Sequence, residues 1–240
     1  MGKLDIPEVK IIVNEAIKDI QKRYNKSSLK ELLKIKSFSE LVNEIEEEAE
    51  KIYKKYEEKA IKEYLESKGY TTITDAYDFV KKIIDDSLVV SIANTRRTRA
   101  GYTAQLILLT VLKAMKIPCR TTRKKFKGYS PDIVIPNVNA LDRDENKAFV
   151  LAVKRTLRER WTEDIGVFKF PNSAFVLIKP DKDFSPAKAR DMVNNGMKRV
   201  YIPDVLYNKY KDELEKSFKG VFKKLSDLPK DLHEFLKARN

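Results

Sequence analysis

The chain has 240 residues, with 49 lysines and arginines against 36 acids, so its formal net charge is +13. One histidine and one cysteine exclude histidine-based metal centres, zinc clusters and disulfide frameworks, and seven glycines include no phosphate-binding glycine loop. No apolar run approaches the ~20 residues of a membrane span. We therefore expect a cytoplasmic protein that attracts a polyanion, with binding that weakens as salt rises.

The first 88 residues are predicted to form a helical region. Apolar residues recur at intervals of three and four over residues 8–24 and 38–66, and the serines at 27, 28 and 37 are suitable helix N-caps. This apolar stripe is more typical of a core or a dimer contact than of a DNA-reading face. We expect two regions, with residues 1–88 serving in dimerisation or in embracing DNA, and residues 89–240 forming the main domain.

Beyond Ser91 the pattern changes to alternating helices and strands, which is typical of an α/β fold with a parallel or mixed sheet. The predicted helices are 98–115, 156–165, 186–194 and 203–218, with a short basic helix in 225–240. The predicted strands are 117–123, two apolar runs at 133–135 and 148–154, then 174–179 and 198–202.

Two of these predicted strands carry the residues that indicate chemistry. Asp132 follows Pro131 at the head of one short β-branched run, and Lys154 ends the next. Turn residues bound both runs, so we expect adjacent buried strands with the carboxylate and the ammonium at neighbouring ends. A metal-dependent phosphodiesterase uses such a pair, because the carboxylate can hold Mg²⁺ while the ammonium orients the attacking water.

The same residues resemble a known family. Pro-Asp, a spacer and a strand that ends in lysine are similar to the core of the PD-(D/E)xK nucleases. The junction VKRTLRERW, residues 153–161, resembles that of type II restriction endonucleases that read CCGG or CCNGG-like sites. The block TRRTRAGYTAQ, residues 95–105, is similar to the upstream helix of that group. The resemblance covers residues 90–178 and implies a restriction-endonuclease-like mixed central sheet flanked by helices.

The resemblance implies that Asp132 and Lys154 are catalytic. Asp132 would bind Mg²⁺ together with the backbone carbonyl of Ala152 and a second acid. The sequence departs from the family pattern at two positions, since Ala152 replaces the usual glutamate before the lysine and Gln105 replaces the glutamate of the upstream helix.

The second metal-binding acid is left open by the sequence. In the CCGG group it is relocated onto a helix after the lysine, where this chain has Val167 and Phe168. The neighbouring acids that could replace it are Asp164, which we favour, and Glu163, Glu145 and Asp144.

The resemblance also implies which residues contact DNA. Arg158, Arg160 and Glu163 have the spacing of the base-reading set, in which arginine pairs with guanine and the carboxylate accepts from cytosine. The other expected DNA contacts are Arg155, Arg96, Arg97 and Arg99. Arg158 and Arg160 could instead clamp phosphates, and the block 96–99 could be a solvated helix start. A second basic cluster, Arg120 to Lys127, lies beside the proposed centre.

These expectations combine into a type II site-specific deoxyribonuclease that cuts double-stranded DNA with Mg²⁺ at a short palindromic site containing G·C pairs. A palindrome cut on both strands favours a C2 homodimer, and the cognate DNA methyltransferase is expected as a genetic partner only. The alternatives are a structure-specific nuclease, such as a resolvase or repair enzyme, and an inactive DNA-binding protein on the same fold. The residues at 105 and 152 suggest the latter.

Overall fold

The computed structural model describes residues 5–67, 72, 75, 88–157 and 161–238. Its N-terminal part is helical, as predicted, with helices α1 (Val9–Arg23), α2 (Leu29–Leu32) and α3 (Phe38–Ser67). Ser37 and Glu40 form a reciprocal cap at the start of α3, because each side chain accepts from the other residue's N–H, at 3.2 and 2.8 Å. The predicted helix stop at Gly69 lies outside the described residues.

Helix α4 (Leu88–Ala114) begins ten residues before the predicted start at 98. The polar and basic block 95–99 interrupts the apolar pattern, but it lies within the helix and does not end it. Further along α4, buried residues such as Ile107, Leu108 and Leu112 pack into one core together with α1 and α3. The N-terminal region therefore packs directly against the main domain.

Six described strands form one mixed sheet in the order β1 to β6. They are β1 (Arg120–Thr121), β2 (Ile133–Ile135), β3 (Phe149–Lys154), β4 (Ser173–Leu177), β5 (Val200–Ile202) and β6 (Phe222–Lys224). The β1–β2 and β2–β3 pairs are antiparallel, and the pairs from β3 to β6 are parallel. The prediction of a mixed sheet is confirmed. Strand β1 is shorter than predicted, and β6 was not predicted because two of its three residues are lysines.

The remaining helices are α5 (Val138–Arg143), α6 (Pro186–Asn194), α7 (Asp204–Lys209), α8 (Lys211–Ser217) and α9 (Leu228–Lys237). Short 3₁₀ helices span Glu145–Lys147 and Leu225–Asp227, and a longer one spans Trp161–Lys169. The last includes residues 161–165 of the predicted helix 156–165, of which residues 158–160 lie outside the described part of the chain. The predicted helix 203–218 is divided at Tyr210. Among the described residues, every helix is too short or too polar to cross a bilayer.

Alternating residues of β3 face two separate cores. Phe149, Leu151 and Val153 pack with α1, α3 and α4, whereas Val150 and Ala152 pack with the opposite layer. The end of β3 therefore presents successive side chains to opposite faces of the sheet, which determines where Lys154 and Arg155 lie.

Candidate active site

The antiparallel pairing of β2 and β3 brings Asp132 to the end of β3 that carries Lys154. Ile133 lies opposite Leu151, and the Asp132 N–H donates to the Leu151 carbonyl at 3.0 Å. The Val153 N–H donates to Asp132 Oδ2 at 2.6 Å. The Asp132 carboxylate is therefore fixed against the strand that ends in Lys154, at the neighbouring strand ends expected from the sequence.

Gln105 of α4 holds the other oxygen of this carboxylate. Its Nε2 donates to Asp132 Oδ1 at 2.6 Å. The family pattern has glutamate at this position, and that second negative charge would repel Asp132, whereas the neutral amide donates a hydrogen bond to it. Gln105 therefore orients the carboxylate in this chain.

Asp164 completes the centre from the 3₁₀ helix Trp161–Lys169. Its Oδ2 lies 2.9 Å from Lys154 Nζ, and its side chain is only 10% exposed. The Tyr129 hydroxyl donates to Asp164 Oδ1 at 3.3 Å. Of the four acids left open by the sequence, Asp164 is the one whose described side chain meets Lys154.

Tyr129 was not predicted to belong to the site. A Cβ atom added to Gly166 would lie 2.7 Å from Tyr129 Cδ2, so the absence of a side chain at Gly166 lets the tyrosine ring lie close to the backbone. The Tyr129 ring also lies 6.5 Å from that of Phe170. The only sequence signal was its position three residues before Asp132.

The electrostatics of the centre are unbalanced. Burial raises the pKa of Asp132 to about 7; the Val153 N–H and Lys154 lower this pKa, while the charge of Asp164 raises it. Burial and the charges of Asp164 and Asp132 also raise the pKa of Tyr129. Two carboxylates thus share one ammonium in a partly desolvated site, which favours a proton or a further cation.

This donor set fits a hard divalent cation. Carboxylate and carbonyl oxygens are the ligands that Mg²⁺ prefers, and Asp132 and Asp164 supply negative charge that Lys154 only half neutralises. No group of three or more acidic, histidine or cysteine side chains with metal-binding geometry occurs within the described residues. Backbone oxygen would therefore have to join the two carboxylates.

The backbone carbonyl predicted as a ligand, that of Ala152, faces β4. Val150 N–H donates to the Asn172 carbonyl and Ile178 N–H to the Lys154 carbonyl, so the even-numbered residues of β3 pair with the β4 side. Val153 donates towards Asp132. Since the N–H and C=O of a strand residue point to the same side, the Val153 carbonyl faces Asp132.

The alternative acids lie elsewhere or outside the described side chains. Asp144 caps the following 3₁₀ turn by accepting from Asn146 N–H at 2.9 Å. Glu145 pairs with Lys127 at 2.5 Å. The side chain of Glu163 lies outside the described part of the structure.

Comparison with known proteins identifies the family. The model of the EcoRII C-terminal family matches residues 53–222, which is more than two thirds of the chain. The chain belongs to the EcoRII C-terminal family. The suspected relationship to type II restriction endonucleases is thereby confirmed.

Solved structures of restriction endonucleases have the same fold as this EcoRII C-terminal family member. The restriction endonuclease PspGI, solved as a complex with substrate DNA, is 25% identical with a TM-score of 0.71, over 98% of this chain and 95% of that chain. Metal-depleted Ecl18kI in complex with uncleaved DNA is 18% identical with a TM-score of 0.73, over 98% of this chain and 81% of that chain. Among curated proteins, no significant match was found.

Three of the arginines expected to contact DNA in this EcoRII C-terminal family member, Arg155, Arg96 and Arg99, have partners within the protein. Arg155 pairs with Glu46 and, at 2.5 Å, with Glu50 of α3. Lys179, which follows β4, pairs with the same two acids at 3.3 and 2.7 Å. These four residues, here called the α3 ion cluster, join the N-terminal region to the ends of β3 and β4.

Two arginines of helix α4 also have partners within the protein. Arg96 pairs with the buried Glu57 of α3 at 2.6 Å. Arg99 donates to the backbone carbonyls of Pro7 and Ile6 at 2.7 and 3.1 Å. The side chain of Arg97 and the whole of Arg158 and Arg160 lie outside the described residues.

Proposed function

We propose that this protein is a type II restriction endonuclease that hydrolyses phosphodiester bonds of double-stranded DNA with Mg²⁺ at a short palindromic site. The observation that carries the proposal is the grouping of Asp132, Lys154 and Asp164 at the neighbouring ends of β2 and β3 in a restriction-endonuclease sheet. Family membership and the solved complex of PspGI with substrate DNA support it.

In the proposed mechanism, Asp132, Asp164 and the Val153 carbonyl would hold Mg²⁺, with the Val153 carbonyl in place of that of Ala152. The bound cation would supply Lewis-acid chemistry at the scissile phosphate. Gln105 and the Val153 N–H fix the Asp132 carboxylate in one orientation. Lys154 orients the attacking water and offsets the negative charge that develops on the phosphate, and the 3′ oxygen leaves.

Sequence recognition is proposed for the segment that follows β3. Arg158 and Arg160 would donate to O6 and N7 of guanine, and Glu163 would accept from a cytosine amine, so the site would contain G·C pairs. Leu157, the residue that precedes Arg158, is fixed in place because its N–H donates to the buried Asp181 carboxylate at 2.5 Å.

A C2 homodimer is the proposed active form, because two related centres can cut both strands of a palindrome. Residues 1–88 remain our candidate for the dimer contact or for embracing DNA. The cognate methyltransferase is proposed as a genetic partner only.

The experiment that tests this function is digestion of a fully sequenced plasmid with Mg²⁺, beside the Asp132→Ala variant, followed by sequencing of the fragment ends. The proposal predicts discrete ends that share one short palindrome and that disappear with the substitution. Ragged ends would contradict site specificity and favour a structure-specific nuclease. Salt-sensitive binding without cutting, with either Mg²⁺ or Mn²⁺, would contradict catalysis and favour a DNA-binding protein on the same fold.

A further inference from the structure

The segment Arg120–Ser130, here called the basic loop, carries five cations and no acid. All five residues are exposed, namely Arg120, Arg123, Lys124, Lys125 and Lys127. The loop begins at β1 and leads through Pro131 into Asp132. A dense positive charge therefore lies immediately before the proposed catalytic carboxylate in the chain.

The base of the loop is fixed to the candidate active site. Phe126 and Tyr129 exchange two backbone hydrogen bonds, at 2.7 and 2.9 Å, around a turn in which Lys127 and Gly128 have φ values of 50° and 79°. Two consecutive positive φ angles are typical of a tight hairpin turn. Tyr129 then contacts Asp164 through its hydroxyl, and Lys169 donates to the Lys127 carbonyl at 3.2 Å.

The charges of the loop are only partly neutralised. Lys124 pairs with Asp142, and Lys127 pairs with Glu145. In the part of the chain that the structure describes, no acid pairs with Arg120, Arg123 or Lys125. Arg96 and Arg155 differ from these three cations, because each already pairs with acids of α3. Exposed, unneutralised cations in a row attract a linear polyanion.

We propose that the basic loop is a phosphate-binding surface for the DNA backbone beside the scissile bond, with Arg123 and Lys125 as its principal contacts. This inference rests on the proposed function for the identity of the polyanion, but it assigns the backbone contact to a segment that the family resemblance did not. The loop positions DNA and reads no bases, because phosphate contacts carry no direct sequence information. The position of these cations relative to the candidate active site is fixed by the turn at Lys127 and Gly128 and by the Tyr129–Asp164 contact.

The test is the salt dependence of binding to a fluorescent duplex that contains the recognition site, measured by anisotropy in EDTA so that nothing is cut. The double variant Arg123→Ala/Lys125→Ala is compared with Lys216→Ala/Lys219→Ala, which removes two exposed lysines just before β6, at the opposite edge of the sheet. Losing two phosphate contacts reduces the slope of log K against log [salt] by about 1.8. The control should keep the wild-type slope.

Two further measurements keep the proposal falsifiable. Arg123→Lys should retain the wild-type slope, because a lysine also neutralises a phosphate, and equal melting temperatures would show that the variants are folded. If wild type binds and cuts DNA but the loop variant keeps its slope, the proposal is overturned and the loop becomes a candidate docking surface for an acidic protein. If wild type binds no DNA at all, the proposed function fails as well.

Discussion

Two clusters of acids and bases lie at the same end of β3, on opposite faces of the sheet, and they differ in charge balance. In the α3 ion cluster two carboxylates meet two cations, and Lys54 also lies 3.3 Å from Glu50. Burial alone would raise the pKa of Glu50, but Lys179, Arg155 and Lys54 lower it to about 2. In the candidate active site two carboxylates meet one ammonium, and the pKa of Asp132 rises to about 7.

We infer that this difference separates a structural cluster from the proposed active site. Strand alternation sends Lys154 to one face and Arg155 to the other, so adjacent residues of similar charge pair with different acids. A balanced cluster stabilises the fold without further ligands. An unbalanced one stores unfavourable charge that a bound divalent cation can relieve.

Replacing Lys154 or Lys179 by methionine should give the largest difference in cleavage rate between the two clusters. Lys154→Met should lower the single-turnover cleavage rate by about 10²–10³-fold, because it removes a cation that stabilises transition-state charge. Lys179→Met should lower the melting temperature but leave the rate per folded molecule unchanged. Quenched-flow or gel-based cleavage, normalised to folded protein, measures both. Equal rate losses in the two variants would contradict the distinction between the α3 ion cluster and the candidate active site.

The Gln105 contact offers a test inside the active site. Gln105→Leu keeps the size of the side chain but removes the donor to Asp132, and the loss of such an orienting hydrogen bond costs about 10–100-fold in metal affinity or activity. We expect the Mg²⁺ concentration for half-maximal cleavage to rise. Thr110→Val, which removes a hydroxyl from the same helix, is the matched control. An unchanged Mg²⁺ dependence in Gln105→Leu would argue against a positioning role.

Neutralising one acid of the α3 ion cluster should destabilise the fold. Loss of one partner from a buried ion pair costs about 3–5 kcal/mol, which we reduce to about 2 kcal/mol for Glu46→Gln because its partners are partly exposed to solvent. Glu63→Gln, in an exposed pair on the same helix, should change the free energy of unfolding by less than about 0.5 kcal/mol. Urea unfolding measures both, and similar values for the two would contradict a structural role for the cluster.

Neutralising Asp132 should stabilise the folded protein, which is the opposite of the effect expected for Glu46→Gln. A folded-state pKa of about 7, above the ordinary 3.8, means that ionisation destabilises the folded protein increasingly from about pH 4 to pH 7. In EDTA, Asp132→Asn should therefore raise the melting temperature by about 2–4 °C at pH 8, which corresponds to roughly 1 kcal/mol in a chain of this size. The gain should vanish below pH 4. A difference that does not vary with pH would contradict the charge imbalance.

The sequence was sufficient for the parts of the fold that depend on local pattern. The α3 stripe, the two short runs around Asp132 and Lys154, and helix α6 all follow from periodicity and turn residues. Boundaries failed where tertiary packing overrode the pattern. Helix α4 continues through a basic block in which an α3 acid and an N-terminal carbonyl satisfy Arg96 and Arg99.

The candidate site was predictable only in part. Asp132 and Lys154 lie at strand ends that the sequence marks, but the choice of Asp164 among four acids depended on a 3₁₀ helix and on the contact with Tyr129. The partners of Arg155 lie more than a hundred residues earlier in the chain. Such long-range pairs leave no local signal, so the sequence predicted a DNA contact for Arg155 and gave no indication of its partners on α3.

The most direct test of the proposed active site compares Asp132→Asn with Glu46→Gln, since each substitution neutralises one acid. The initial cleavage rate is measured with Mg²⁺ on the same plasmid and divided by the folded fraction of each variant. We predict that Asp132→Asn is folded and inactive, whereas Glu46→Gln is less stable but cuts at the wild-type rate per folded molecule. Cleavage by Asp132→Asn at the wild-type rate would contradict the assignment of the active site to the unbalanced cluster.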